Sequence, residues 1–209
     1  SGGILVYNEE DENLVKLVDE AENYFRKMPY KTPNYETKNG KTSVETEMGQ
    51  IPLKIFGKHN LLNLEGARLI CNQLGILDED FYEAMMSFSG ASKRLEKVKR
   101  NDDVILYRDF AHAPSKVKAS VDAFAEQFPA MKKVGVLELH TYSSLNPAFL
   151  PQYKNTLAQL DEAVVFYDLE ALKIKNMTPI SPELIKESFG KENLQVFTNA
   201  DDLKNFWQN

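Results

Sequence analysis

Cysteine, clustered basic residues and long apolar runs are all scarce in this chain of 209 residues. A single cysteine, Cys71, excludes an internal disulfide framework. The 25 Lys and Arg against 31 Asp and Glu give a net charge of −6, which argues against nucleic acid as a partner. No apolar run approaches the roughly 20 residues of a membrane-spanning helix, and the start has no basic segment or apolar core typical of a secretion signal. The expectation is a cytoplasmic protein with no membrane partner.

The composition, 43% hydrophobic and 27% charged, is ordinary for a globular protein. A short run of small and polar residues at 88–93 indicates a hinge, and the pattern of apolar residues changes after it. We therefore predict two domains, residues 1–90 and residues 91–209. Helices and a small β-hairpin sheet are expected in the first domain, and alternating strands and helices in the second.

Turn-forming residues organise the first domain. Apolar residues at helical spacing over 14–21 predict a helix that ends at Pro29 and Pro33. Asn39-Gly40 lies between two strand-like segments and is a strong signal for a two-residue hairpin turn.

A strand-like run, Ile51–Phe56, stops at Gly57 and leads directly into a predicted helix. Asn60 and Asn63 are three residues apart in the first turns of this helix, so both amides lie on one face. An asparagine amide offers a donor and an acceptor, which suits the edge of a nucleotide base. The competing interpretation is that Asn60 only caps the helix.

The second domain alternates short apolar strands with helices, which predicts a Rossmann-like α/β fold with a mostly parallel sheet covered on both faces. Ligands of such sheets bind at the carboxyl ends of the strands. Asp109, His112 and the loop at 140–147 follow predicted strands and are expected at this edge. The competing role for Asp109 and for Ser115 is helix capping.

Three groups of residues occur in an order and spacing that resemble the Mur ligase family, the ATP-dependent ligases of peptidoglycan precursors. They are Phe56-Gly57-x-His59-Asn60-x-x-Asn63, Phe88-x-Gly90-x-x-Lys93-Arg94-Leu95-Glu96 and Asp109-Phe110-Ala111-His112-x-Pro114-x-x-Val117. The resemblance implies that residues 1–90 are the C-terminal part of the family's central ATPase domain. It also implies that residues 91–209 are most of its C-terminal domain, truncated at the end.

The resemblance implies that ATP and Mg²⁺ serve the reaction, in which ATP phosphorylates the carboxylate of UDP-N-acetylmuramate and an amine attacks the acyl phosphate. Asn60 and Asn63 would contact the adenine, Arg94 a phosphate and Asp109 the ribose hydroxyls, all facing one nucleotide. The alternative for Arg94 is a surface ion pair with a neighbour such as Glu96.

The second implied site lies at the edge of the sheet and would bind the incoming amino acid or peptide. Its residues would be His112, His140, Ser143, Ser144 and Asn146. Leu137-Glu138-Leu139-His140 and the residues after it favour a peptide acceptor, L-alanyl-γ-D-glutamyl-meso-diaminopimelate, used in cell-wall recycling; the alternative acceptor is L-alanine. The competing interpretations are structural histidines and an ordinary solvated loop.

No G-x-x-x-x-G-K-[ST] motif occurs in the sequence, and the metal-binding acid and modified lysine of the resembled family are also missing. Most ligands of the phosphates and of Mg²⁺ are therefore expected outside this chain. We expect a fragment of a longer ligase that is inactive alone. The alternative is a non-catalytic binding module that lacks the P-loop.

Overall fold

A computed structural model describes residues 2–22, 24–178 and 180–208. The chain divides into two compact units, Ser1–Ser92 and Lys93–Asn209. No helix in the described ranges is long and apolar enough to cross a membrane.

The first unit begins with two parallel strands joined by a helix: β1 (Gly3–Asn8), α1 (Glu12–Glu20) and β2 (Phe25–Tyr30). The prediction that this helix continues to Pro29 is wrong, because the helix stops at Glu20 and Pro29 lies within β2. β2 pairs with β1 in a two-stranded sheet, and such an edge strand tolerates a residue without an N–H donor.

An antiparallel sheet and two helices complete the first unit. They are β3 (Tyr35–Lys38), β4 (Lys41–Thr46), β5 (Gly49–Leu53), α2 (Lys58–Gln73) and α3 (Asp78–Ser87). The predicted hairpin is confirmed: Asn39 and Gly40 have φ of 53° and 70°, as a type I′ turn requires. The core of this unit consists of buried side chains from the sheet, the following segment and both helices, among them Val44, Leu53, Ile55, Leu61, Leu64 and Phe81.

The second unit contains a hairpin, a parallel sheet and surrounding helices. In chain order these are β6 (Glu96–Arg100), β7 (Ile105–Arg108), α4 (Pro114–Gln127), β8 (Val134–Glu138), a 3₁₀ turn (Leu150–Tyr153), β9 (Glu162–Phe166), α5 (Leu169–Ile174), α6 (Pro182–Phe189), β10 (Gln195–Phe197) and α7 (Ala200–Gln208). Three parallel strands pair in the order β10-β9-β8, and β6 pairs antiparallel with β7. The predicted α/β class with a parallel sheet is confirmed.

The core of the second unit lies between this sheet and its helices, with Leu139, Leu150, Tyr153, Tyr167, Ile185 and Phe189 fully buried. An apolar cavity of about 790 Å³ lies between β7 and β8. It is lined by side chains of both strands, of α4 and of Trp207, and it reaches Asp109 and Ser120. The carboxyl end of β7 is therefore open to a sizeable space.

Candidate functional site

The entrance of α2 holds the first candidate residues. Gly57 is the N-cap, with φ of 86°, and the helix starts at Lys58. Asn60 lies inside the helix, so the interpretation of Asn60 as the N-cap is wrong. Its Nδ2 donates to the carbonyl of Phe56 at 3.0 Å, which fixes the amide plane and leaves Oδ1 as an acceptor. Asn63 follows one turn later with an exposed side chain.

The backbone on both sides of Arg94 is unusual. Lys93 and Leu95 have φ of 58° and 42°, a left-handed region that non-glycine residues rarely adopt, at a cost of about 1–2 kcal/mol each. Two backbone N–H groups compensate: Phe110 donates to the carbonyl of Lys93 at 2.8 Å, and Leu95 donates to Asp109 Oδ1 at 3.3 Å. Arg94 is thus presented from a fixed backbone, and its side chain is exposed.

Glu96, the proposed surface partner of Arg94, is engaged elsewhere. Its carboxylate accepts the N–H of Lys93 at 2.7 Å and Nη2 of Arg108 at 3.0 Å. These hydrogen bonds lower the pKa of Glu96, and the hydrogen bond from Lys93 has the larger effect. Glu96 therefore pairs with Arg108 and not with Arg94, so the alternative is wrong for this example of a partner.

Asp109 follows β7 and uses both of its oxygens. Oδ1 accepts from Leu95, and Oδ2 accepts the hydroxyl of Ser120 on α4, which is only 8% exposed. Helix capping is not its role, because α4 starts at Pro114 with Ala113 as N-cap and without a side-chain cap. Ser115 is likewise inside the helix. A carboxylate has about four acceptor positions, so Asp109 keeps capacity for two more donors.

Two of the predicted acceptor residues meet at the carboxyl ends of β7 and β8. The rings of His112 and His140 lie 5.9 Å apart, and the ring of Phe110 lies 5.1 Å from the first and 5.9 Å from the second. We call Phe110, His112 and His140 the rim cluster. Phe110 is 59% exposed, so the cluster offers an aromatic surface to solvent.

Backbone contacts hold the rim cluster in place. Nδ1 of His112 lies 2.9 Å from the carbonyl of Phe110, and Nδ1 of His140 lies 3.4 Å from the carbonyl of Glu138. The phenol of Tyr153 donates to the carbonyl of His112. Burial raises the pKa of Tyr153 to about 12, so the phenol remains a donor at neutral pH.

The loop after β8 divides the remaining predicted residues into two groups. Ser144 is 1% exposed, and its hydroxyl exchanges hydrogen bonds of 2.8–3.1 Å with the backbone and hydroxyl of Thr141. Ser144 therefore stabilises the conformation of the loop. Ser143 and Asn146 have exposed side chains, although Asn146 Oδ1 already accepts the N–H of Ala148 at 3.0 Å.

Comparison with known proteins finds relatives in sequence and in structure, although no family model matches the chain. A UDP-N-acetylmuramate–L-alanine ligase from Caldicellulosiruptor bescii is 28% identical over 195 residues, which cover 88% of this chain and 42% of the relative. Along most of its length the chain is similar to Mur ligases, as the resemblance in its sequence predicts. It spans less than half of the length of this relative.

Solved structures of Mur ligases have the same fold. The UDP-N-acetylmuramate–alanine ligase from Thermotoga maritima gives a TM-score of 0.69 at 18% identity, covering 97% of this chain and 44% of that one. The murein peptide ligase from Psychrobacter arcticus gives 0.60 at 14% identity, covering 98% and 45%. At these identities the likeness concerns the fold alone.

Two residues that contact the predicted site residues were missed by the sequence analysis. Ser120 supports Asp109 from a buried position on α4 that has no local signature. Lys175 donates from its Nζ to the carbonyl of His140, and this Nζ lies 5.1 Å from the ring centroid of Tyr142. Lys175 follows α5, a helix that the sequence analysis did not predict; Asp168, whose side chain caps it, is the signal that could have revealed it.

Proposed function

We propose that the chain is the part of a longer Mur ligase that binds the nucleoside of ATP and the incoming amine, with residues 1–90 from the central ATPase domain and residues 91–209 from the C-terminal domain. The full-length protein would join an amine to the carboxylate of UDP-N-acetylmuramate. The observation that carries this proposal is the match to a UDP-N-acetylmuramate–L-alanine ligase along 88% of the chain. The cytoplasmic location expected from the sequence belongs to the same proposal.

In the second unit, Asp109 and Arg94 fit the ribose and a phosphate. Asp109 is held by Leu95 and Ser120 and still has free acceptor positions for two hydroxyls. Arg94 is exposed and directly precedes Leu95, whose N–H donates to this carboxylate, and its planar, permanently charged guanidinium suits a phosphate. When bound, ATP would supply the phosphoryl group that activates the muramate carboxylate as an acyl phosphate.

In the first unit, Asn60 and Asn63 are proposed to contact the adenine. The amide of Asn60 is fixed by its bond to the carbonyl of Phe56, so its Oδ1 could accept the exocyclic amine of adenine. Asn63 is exposed and could donate or accept. That these two amides and Arg94 and Asp109 serve the same nucleotide stays a prediction.

Mg²⁺ remains part of the proposal for the full-length protein only. The described ranges contain no group of three or more His, Cys, Asp and Glu side chains that could hold a metal ion. We therefore assign no metal ligand in this chain. Since the 209 residues also lack the P-loop motif, we expect no ligase activity from this polypeptide alone.

Two acceptors are proposed for the rim cluster and the loop after it. The residues around His140 favour the peptide L-alanyl-γ-D-glutamyl-meso-diaminopimelate, and a murein peptide ligase shares the fold. L-Alanine is the second candidate, because the curated relative described above is named for it. His112, His140, Ser143 and Asn146 are the proposed contacts, with Ser144 in a supporting role.

A single ligation assay tests the proposal. The full-length protein is incubated with ATP, Mg²⁺ and UDP-N-acetylmuramate, with the peptide or L-alanine offered in parallel, and the product is identified by mass spectrometry. Product from the peptide alone supports a recycling ligase, and product from L-alanine alone supports the second candidate. If neither acceptor gives a product or releases ADP, the ligase assignment is wrong and a non-catalytic binding module is favoured.

A further inference from the structure

The residue before Arg94 is held on both sides in a conformation that non-glycine residues rarely adopt. Lys93 has φ of 58°, and its N–H donates to Glu96 Oε2 at 2.7 Å. Its carbonyl accepts the N–H of Phe110 at 2.8 Å. Since this N–H and this carbonyl belong to the two planar peptide groups that flank Lys93, the two hydrogen bonds together determine its φ and ψ. The direction in which Arg94 leaves the backbone follows from them.

Two carboxylates support this turn, and only one of them has a role in the proposed site. Asp109 accepts the N–H of Leu95 at 3.3 Å and is proposed to bind the ribose. Glu96 makes the shorter hydrogen bond, at 2.7 Å, and no ligand is proposed for it. Without Glu96, the peptide group before Lys93 would lose this acceptor, and the left-handed conformation would keep one of its two supports.

Glu96 is itself oriented by the hairpin of β6 and β7. It is the first residue of β6 and lies opposite Arg108, the last residue of β7. Nη2 of Arg108 donates at 3.0 Å to the same oxygen, Oε2, that accepts the N–H of Lys93. Because the strand pairing brings the two charged side chains together, the carboxylate is in position for Lys93 before any ligand binds.

We propose that Glu96 is a positioning residue, which holds the turn at Lys93 so that the guanidinium of Arg94 is presented to a phosphate of the nucleotide. The phosphate in this inference rests on the proposed function, whereas the support of the backbone does not. The competing role is purely structural, in which Glu96 stabilises the hairpin through its ion pair with Arg108. The two roles differ in the partner of Glu96 that matters, Lys93 or Arg108.

Kinetics on the full-length protein separate these roles. Glu96→Ala should raise KM for ATP about 3- to 10-fold, as expected when a hydrogen bond that orients a charged contact is lost. Arg108→Ala should stay within about twofold of wild type, because Glu96 can still accept the N–H of Lys93. Glu96→Gln should fall between alanine and wild type, because the amide retains an acceptor oxygen. Glu162→Ala is the matched control: it removes a carboxylate of β9 that pairs with Lys132 at 2.5 Å, and it should behave as wild type.

A double variant tests whether Glu96 acts through Arg94. If it does, Arg94→Ala combined with Glu96→Ala should have the same KM for ATP as Arg94→Ala alone, because no guanidinium remains to be positioned. Glu96→Ala should also leave KM for the amine acceptor within about twofold of wild type. The inference is overturned if the two substitutions multiply their effects, if Arg108→Ala raises KM for ATP as much as Glu96→Ala does, or if Glu96→Ala leaves KM for ATP unchanged.

Amide hydrogen exchange tests the support of the turn without ligation. In the 209-residue chain, the N–H of Lys93 should exchange about 10-fold faster in Glu96→Ala than in wild type, because it exchanges when its hydrogen bond opens. Its exchange in Arg108→Ala and in Glu162→Ala should resemble wild type. If the N–H of Lys93 exchanges equally fast in Glu96→Ala and in wild type, Glu96 does not hold the turn and the inference is wrong. An inactive full-length protein with the expected exchange would instead refute only the proposed function.

Discussion

Replacing Asp109 by alanine is expected to weaken ATP binding more than it weakens the fold. The carboxylate accepts one hydrogen bond from Leu95 and one from Ser120, and it is exposed. Hydrogen bonds to charged groups contribute about 1.5–3 kcal/mol when buried, so with solvent competition we expect a loss of about 1–2 kcal/mol in the free energy of unfolding. This corresponds to a decrease in Tm of about 2–8 °C for a protein of this size.

The effect on ATP comes from the acceptor positions that remain. If two ribose hydroxyls donate to Asp109, their loss should raise KM for ATP about 10- to 100-fold, since each tenfold change corresponds to about 1.4 kcal/mol. Asp109→Asn should fall between alanine and wild type, because the amide retains one acceptor oxygen but not the charge. The assay is ADP release by the full-length protein at varied ATP, with Tm measured on the same samples.

Two further variants distinguish ligand binding from scaffolding. Ser120→Ala removes the donor to Oδ2 but leaves Asp109 in place, so it should lower Tm with a smaller rise in KM for ATP. Asp122→Ala is the matched control, since this partly exposed carboxylate on α4 pairs with Lys118 at 2.6 Å. The reasoning is refuted if Asp109→Ala remains within twofold of wild type in KM for ATP. It is also refuted if Ser120→Ala raises this KM as much as Asp109→Ala does.

The other predictions concern a phosphate contact, a buried phenol and an ion pair. Arg94→Ala should raise KM for ATP or lower kcat with Tm unchanged; unaltered kinetics would remove the phosphate role. Tyr153→Phe should cost about 1–3 kcal/mol in urea unfolding, because the carbonyl of His112 loses its buried donor; a change below 0.5 kcal/mol, roughly the noise of a surface substitution, would contradict this. The hydrogen bond from Lys58 lowers the pKa of Glu10, so this carboxylate stabilises the fold above its unfolded pKa. Glu10→Gln should therefore lower stability by about 0.5 kcal/mol at pH 7, and the difference should vanish as the pH falls through the folded pKa; a difference that does not change with pH would disprove it.

Local signals determine which parts of the fold could be predicted from the sequence. Asn39-Gly40 fixes its hairpin because the turn needs two positive φ angles that these residues adopt easily. The parallel strands β8 and β9 were predictable from uninterrupted apolar runs. By contrast, the short 3₁₀ turn and the following Asn155 at φ of 62° have no local signal that would predict them.

Tertiary contacts explain what the sequence could not reveal. The left-handed conformations of Lys93 and Leu95 carry no local signature, because neither residue favours positive φ and the compensating groups come from residues 109 and 110. The link between Asp109 and Ser120 spans eleven positions, and that between His140 and Lys175 spans thirty-five. Pairings at such separations depend on the packing of α4 and α5 and not on any motif.

The candidate site of the second unit combines exposed binding groups with supports that come from other elements. Asp109 is held from α4, His112 by a buried tyrosine of the 3₁₀ turn, and His140 by the residue that closes α5. Each binding group thus follows a strand, while its orientation depends on a helix or turn distant in sequence. A substitution at a support should therefore change ligand affinity through geometry and lower stability together, whereas a substitution at an exposed group should change affinity alone. The ratio of these two effects, measured residue by residue, distinguishes a preorganised site from a set of surface side chains.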